Sequence, residues 1–210
     1  TSFAQTTADD GILTLQFEND LFGHTDQHFT HGTRLGWMAP EKRVPQWVLD
    51  AASYVPIFDE KASKRVVFSL GQSIFTPDDI TARDVIPGER PYAGWTYLGV
   101  GLVSVASDHL DNLQLDIGIV GPHSFAEDVQ TQWHKWFGFK DPEGWDNQLR
   151  DEPGIILTYE RKWRRWEHFD FLGLDGDLTP HAGVSLGNVL TQAAGGFTVR
   201  LGNDLAKNYD

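Results

Sequence analysis

The strongest constraint on the fold of this chain is an alternation of apolar and polar residues with a period of two. In the stretch 11–22, Leu13, Leu15 and Phe17 alternate with polar and acidic residues. Such alternation puts apolar side chains on one face of a β-strand and polar side chains on the other. The pattern recurs in seven further stretches, which are 29–39, 65–76, 93–106, 111–122, 153–165, 178–189 and 192–202. The sequence therefore predicts an antiparallel all-β protein with about eight strands.

Two architectures satisfy this pattern. A β-sandwich buries the apolar faces of its strands, whereas a transmembrane β-barrel turns them towards lipid and keeps the polar faces in its lumen. Alternation by itself is more typical of the sandwich. Glycine-rich polar faces and tryptophans near strand ends, at Trp37, Trp95, Trp163 and Trp166, are more typical of the barrel. The pattern alone leaves both open.

Composition narrows the function classes. The chain has 30 acidic and 17 basic residues and a net charge of -13, which argues against binding nucleic acid through its phosphates. It has no cysteine, so disulfides, zinc-thiolate sites and thiol nucleophiles are excluded. No apolar run reaches the roughly 18 residues of a membrane helix. A cation held by oxygen ligands is compatible with all of this.

The domain organisation is simple. Ser2, Phe3 and Ala4 have the small-x-small form found before a signal-peptidase cut. We therefore expect 1–10 to be the segment that follows a cleaved export signal and 11–210 to be a single β-barrel domain, because no repeat or linker divides it.

Two stretches break the strand pattern. Residues 45–55 and 126–139 predict short helices, and the second lies within a long connection at 123–152. Counting strands from the amino terminus puts this connection on the same side as Asn19 and Asp20. Gln130 and His134 are four residues apart and share a helix face, while Trp133 and Phe137 share another that could pin the helix to the sheet.

Residues at this rim suggest chemistry. The segment around Asn19, Asp20 and Thr30 is dense in carboxylate, amide and hydroxyl oxygens, which suit Ca²⁺. The spacing alone is more typical of an ordinary hairpin loop. A histidine at position 134 could accept a proton from a docked substrate or simply form a surface hydrogen bond.

Taken in order, these motifs resemble the outer-membrane lipid A 3'-O-deacylase family. The resemblance spans nearly the whole chain, and no single motif carries it. The matching stretches are Glu18-Asn19-Asp20, 25–32, 72–77, 90–95, 118–122, Val129-Gln130 with His134, and 144–153.

The resemblance implies a twelve-stranded barrel in the Gram-negative outer membrane, with its site between the barrel wall and a helix of an outer loop. It implies a Ca²⁺-dependent esterase that removes the 3'-linked acyloxyacyl chain of lipid A, the lipid part of lipopolysaccharide. Matched positions assign catalytic roles to His134, Gln130, Asn19 and Thr30. Metal ligation falls on Asp20 and Asn19, with Glu152 as a nearby acidic candidate. We expect a monomer that contacts outer-membrane lipids and binds no nucleic acid.

The chain departs from the family pattern at three points. Lys140 stands where the family has a glutamate six residues after the histidine, and Ala82 with Arg83 lies near a family lysine. Asp146 and Asp151 are, like Glu152, candidates for the missing acidic group. Eight strands are fewer than twelve, so we expect a C-terminally truncated chain whose sheet has open edges.

Two rival functions remain from the sequence. One is a non-catalytic outer-membrane barrel with a structural or adhesive role. The other is a secreted β-sandwich that binds carbohydrate through its eight tryptophans.

Overall fold

The protein is an antiparallel β-sheet with two helices. The structure, a computed structural model, describes residues 11–19, 31–163 and 167–203. The strands are β1 Ile12–Asn19, β2 His31–Met38, β3 Ser63–Phe75, β4 Ala93–Val105, β5 His109–Val120, β6 Glu152–Trp163, β7 Glu167–Phe171, β8 Leu174–Gly187 and β9 Gln192–Gly202. The helices are α1 Gln46–Ser53 and α2 Ala126–Phe137, which confirms both predicted helices.

Strand order follows the chain. Each of β1 to β5 pairs antiparallel with the next strand, and β8 then pairs with β6, β7 and β9. Residues 181–187 of β8 pair with β6, and residues 174–178 pair with β7. The two segments therefore occupy one edge of β8 in succession. Eight of the nine strands match the eight predicted stretches, and β7 is an additional strand that lies outside them. Within the described residues β1 and β9 do not pair with each other, so the sheet is open there.

The two faces of the sheet differ in polarity. One face, here called the outer face, carries a register row of six aliphatic side chains, each at least 43% exposed. The row is Leu15, Leu35, Leu70, Leu98, Ile117 and Ile155. The other, inner face carries a hydrogen-bonded polar network, in which Arg34 Nη2 donates to Gln114 Oε1 at 2.7 Å and Gln114 Nε2 donates to Asp116 Oδ1 at 2.7 Å.

This distribution decides between the two architectures. A β-sandwich would cover the aliphatic row with a second sheet, but here the row is exposed and the polar side chains are enclosed. The arrangement is that of a membrane barrel wall. In the part of the chain that the structure describes, no helix has the length and apolar character needed to cross a membrane.

Candidate functional site

Helix α2 begins directly against the outer face of the sheet. Gln72 Nε2 and Thr96 Oγ1, which are paired on β3 and β4, both donate to the backbone oxygen of Ser124, at 2.8 and 2.7 Å. A Cβ atom on Gly94 would lie 2.1 Å from Ser124 Oγ and 2.2 Å from the Cβ of Ala126. Only glycine therefore leaves room for the helix start at this height on β4.

The far half of α2 reaches strand β1. The rings of Trp133 and Phe17 contact each other with centroids 5.6 Å apart. Phe17 belongs to the same register row as Gln72 and Thr96, three strands away from β4. Three strand spacings are about 14 Å, and the helix rises about 10 Å from Ala126 to Trp133. Helix α2 thus runs along this row from β4 towards β1, and its C-terminal half lies near the end of β1.

A small core outside the sheet fixes the helix and its neighbouring loops. It consists of Ile74, Tyr92, Ala126 and Trp145, each at most 3% exposed. The rings of Tyr92 and Trp145 lie 4.8 Å apart, and the Tyr92 hydroxyl donates to the backbone oxygen of Ile80 at 2.8 Å. Burial raises the pKa of Tyr92 to about 12, so the hydroxyl stays protonated and keeps this bond.

Gln130 is oriented by this core. Its side chain is 4% exposed, and its Oε1 accepts a hydrogen bond from Trp145 Nε1 at 2.9 Å. Its Nε2 has no hydrogen-bond partner among the described residues. Because a buried amide donor without a partner is costly, this group calls for an acceptor supplied by a ligand or by residues outside the described ranges. Trp145 lies in a stretch that matches the family pattern, but its bond to Gln130 is not predictable from the sequence.

His134 is held by a turn that folds back onto the helix. Gly138 ends α2 in the left-handed region with φ at 69°, and Lys140 then presents its backbone oxygen to His134 Nδ1 at 2.5 Å. A carbonyl oxygen only accepts, so Nδ1 carries the proton and the neutral imidazole has its lone pair on Nε2. The contact uses the backbone of residue 140, so it does not depend on a glutamate side chain at that position.

A cluster of aromatic side chains lies beside the imidazole of His134. Ring contacts connect Phe17, Trp133, Phe137 and Phe139, with successive centroids 5.6, 4.6 and 6.2 Å apart. The ring of His134 meets Phe139 edge-on at 5.6 Å. Phe137 and Phe139 are both about half exposed. The imidazole therefore lies beside an apolar surface that could hold an acyl chain.

Three of the other predicted site residues lie at or beyond the ends of the described ranges. Asp20 and Thr30 lie outside the described residues, and Asn19 ends β1 with only its backbone described. Glu152 pairs with Val120, which pairs with Trp95, in an inner-face row, whereas α2 lies on the outer face. Gln130 and His134 therefore lie on the outer-face side on α2, whereas the strand register places Glu152 in an inner-face row.

Arg83 and Asp151, which lie near departures from the family pattern, form hydrogen bonds with residues outside the proposed site. Arg83 Nε donates to Glu143 Oε2 at 2.7 Å, and this bond raises the pKa of Arg83. Asp151 accepts from the backbone N–H of His123 at 2.9 Å, and this bond together with the His123 ring lowers the pKa of Asp151. Among the residues that the structure describes, no three His, Asp or Glu side chains form a metal-binding group.

A family model described as outer membrane protein LpxR matches residues 1–210. The chain belongs to the LpxR family. The structure resembles that of LpxR from Salmonella typhimurium, with a TM-score of 0.68 and 22% sequence identity over 93% of this chain. The chain covers 64% of that LpxR structure. No curated protein matches the chain.

Membership of the LpxR family fixes the location. It is a family of the Gram-negative outer membrane, which agrees with the exposed aliphatic outer face. The likeness to the Salmonella LpxR structure confirms the predicted β-barrel fold class. It also removes the secreted sandwich as an alternative.

Proposed function

We propose that this LpxR-family protein hydrolyses the 3'-linked acyloxyacyl ester of lipid A, with His134 as general base. The observation that carries the proposal is the arrangement of His134, whose Nδ1 is fixed by the Lys140 backbone on a helix that lies against the membrane-facing wall. Its Nε2 lone pair is therefore available to activate a water molecule beside a lipid ester.

The residues of this chain supply a base and a donor for the oxyanion. Nε2 of His134 removes a proton from water while the water oxygen bonds to the ester carbonyl carbon. The unpartnered Nε2–H of Gln130 donates to the carbonyl oxygen as that oxygen becomes negative. The imidazolium then returns its proton to the sugar oxygen as the ester C–O bond breaks, which releases the fatty acid. The resemblance adds Asn19 and Thr30 to this site.

The position of α2 suits a lipid substrate. The helix lies on the outer face and not in the lumen, so a lipid can approach it from within the membrane leaflet. The aromatic surface of Trp133, Phe137 and Phe139 lies next to His134 and would bury acyl chains. One chain supplies all these groups, and we propose that it acts as a monomer.

The family resemblance is the reason for including Ca²⁺ in this proposal. Asp20 and Asn19 are the proposed ligands, and both side chains lie outside what the structure describes. Glu152 is a poorer candidate because it belongs to the inner face. When bound, Ca²⁺ would polarise the ester carbonyl and stabilise the oxyanion.

Mass spectrometry of lipid A after incubation with the full-length protein in detergent tests the proposal. We expect loss of the 3'-linked acyloxyacyl group, abolition by a chelator and recovery with added Ca²⁺. The variant His134→Ala should lose activity, whereas His123→Ala, in the same connection, should keep it. Full activity in His134→Ala would refute the mechanism. No product and no effect of Ca²⁺ would favour the non-catalytic barrel.

A further inference from the structure

A row of charged and polar residues lies on the outer face at the end of the strands that is farther from α2. Lys64, Ser104, Asp111 and Arg161 are paired in register across β3 to β6. Lys64 lies eight residues along β3 from Gln72, a distance of about 26 Å along the strand. The exposed outer-face side chains between these two levels include Phe68, Leu70, Leu98, Val100, Ile117, Ile155 and Leu157. Both levels therefore lie near the boundaries of a membrane-facing band about 25 Å tall.

The charged row is covered from the outside. Asp111 is fully buried and accepts from Arg161 Nε at 2.6 Å and from the Tyr159 hydroxyl at 2.8 Å. The cover is the connection between β2 and β3. Lys64 Nζ donates to two of its backbone oxygens, at 2.7 and 3.0 Å, and Arg161 Nη2 donates to the backbone oxygen of Ile57 at 3.1 Å.

These bonds clamp the connection to the wall at the edge of the apolar band. Phe58, which lies between Ile57 and Asp59 in this connection, is 7% exposed. The same connection carries α1, whose Ala52 is also buried. Helix α1 is thus held at one height, at the end of the band opposite to α2.

Helix α1 presents an exposed aromatic stripe at this height. Trp47, Ala51 and Tyr54 are spaced by four and three residues, so they share one helix face. Trp47 is 72% exposed and Tyr54 is 86% exposed. The neighbouring face is polar and carries Gln46 and Asp50, which are hydrogen-bonded to each other at 3.0 Å.

We propose that the stripe of Trp47, Ala51 and Tyr54 inserts into the headgroup region of the membrane leaflet opposite to α2, where phospholipid is its partner. Amphipathic aromatic side chains favour this region, because their rings are apolar and their N–H or O–H groups meet water. The stripe continues the membrane-facing band beyond the strands. It anchors the barrel at this boundary, and this role does not depend on hydrolysis.

Single-cysteine labelling tests the inference, since the 210-residue chain has no cysteine. Cysteine is placed at 47, 51 or 54, or at the matched positions 46, 50 or 53 of the neighbouring face. Each full-length variant is spin-labelled and reconstituted in phospholipid vesicles, and retention of the fold is checked by resistance to unfolding in dodecyl sulfate. Accessibility to oxygen, which concentrates in lipid, is then compared with accessibility to a water-soluble nickel complex.

We expect the ratio of oxygen to nickel accessibility to be several-fold higher at 47, 51 and 54 than at 46, 50 and 53. Equal accessibility to the nickel complex at all six positions would overturn the inference, because the stripe would face water. Exclusion of both reagents from the stripe would overturn it as well, because a protein surface would then cover it.

Discussion

Trp145 donates from its indole nitrogen to Gln130 Oε1 at 2.9 Å, across the gap between the loop after α2 and the helix itself. The bond orients the amide of Gln130, so that its Nε2 is the group left without a partner among the described residues. It connects the small outer core to the proposed oxyanion donor.

The variant Gln130→Glu should keep an oxygen that accepts the bond from Trp145 and should remove the Nε2–H group that is proposed to donate to the oxyanion. We expect a decrease of about 100-fold in kcat, as for loss of one oxyanion-hole donor. Steady-state kinetics on lipid A measures it. An unchanged kcat would exclude Gln130 from transition-state stabilisation.

Replacing Trp145 by Phe should retain most of the packing but remove the N–H. Since one neutral hydrogen bond contributes about 1 kcal/mol, kcat should fall about fivefold with little change in KM. The double variant with Gln130→Glu should lose little more than Gln130→Glu alone, because both act on one group. Additive losses would mean that Trp145 acts by another route.

Gly94→Ala should displace α2 while leaving the sheet folded. The added Cβ would lie 2.1 Å from Ser124 Oγ, so the helix start must move by about 1 Å, which can cost about 100-fold in activity. Gly101→Ala on the same strand is the matched control, because its Cβ would meet no atom closer than 3.4 Å. The activities of the two variants are compared after both have been shown to resist unfolding equally. Equal activities would show that α2 tolerates the shift.

Phe17→Ala should loosen α2 from the first strand. The aromatic contact with Trp133 contributes about 1 kcal/mol, so the helix should detach more often and trypsin should cleave faster after the exposed Lys135. Leu15→Ala on the same face of β1 is the control, since Leu15 is 72% exposed. Identical cleavage rates in the two variants would contradict the proposed anchoring.

Tyr92 should make the outer core sensitive to alkaline pH. An unfolded tyrosine ionises near pH 10, whereas burial raises the pKa of Tyr92 to about 12. The folded protein therefore holds more protons than the unfolded protein in this interval, and stability falls as the pH rises from 10 to 12.

Tyr92→Phe should remove this loss. Urea unfolding in detergent, at pH values below 10 and approaching 12, measures the difference in free energy of unfolding between wild type and variant. Below pH 10, wild type should be more stable than the variant by about 1 kcal/mol, because only wild type has the bond to Ile80. This difference should decrease as the pH rises above 10. Tyr54→Phe, at an exposed position, is the control. A pH-independent difference would refute this assignment.

Local features were predictable from the sequence. Alternation at Leu13, Leu15 and Phe17 reports strand geometry directly, and the eight predicted strand positions are all present. The spacing of Gln130 and His134 correctly put them on one helix, because helical periodicity depends only on neighbouring residues. Strand β7 was not predicted, since it forms through its pairing with β8.

Contacts between distant parts of the chain were decided only by the tertiary structure. Whether Leu70 and Leu98 face lipid or a second sheet depends on what covers their face, and alternation is the same in both cases. The bond from Trp145 to Gln130, the contact of Phe17 with Trp133 and the inner-face position of Glu152 depend on register and loop path. The sequence by itself determined where strands and helices form, because those preferences act over a few residues. Which side of the wall carries the proposed site was set by Gly94, Gln72 and Thr96, which meet the start of α2 only after the strands have paired.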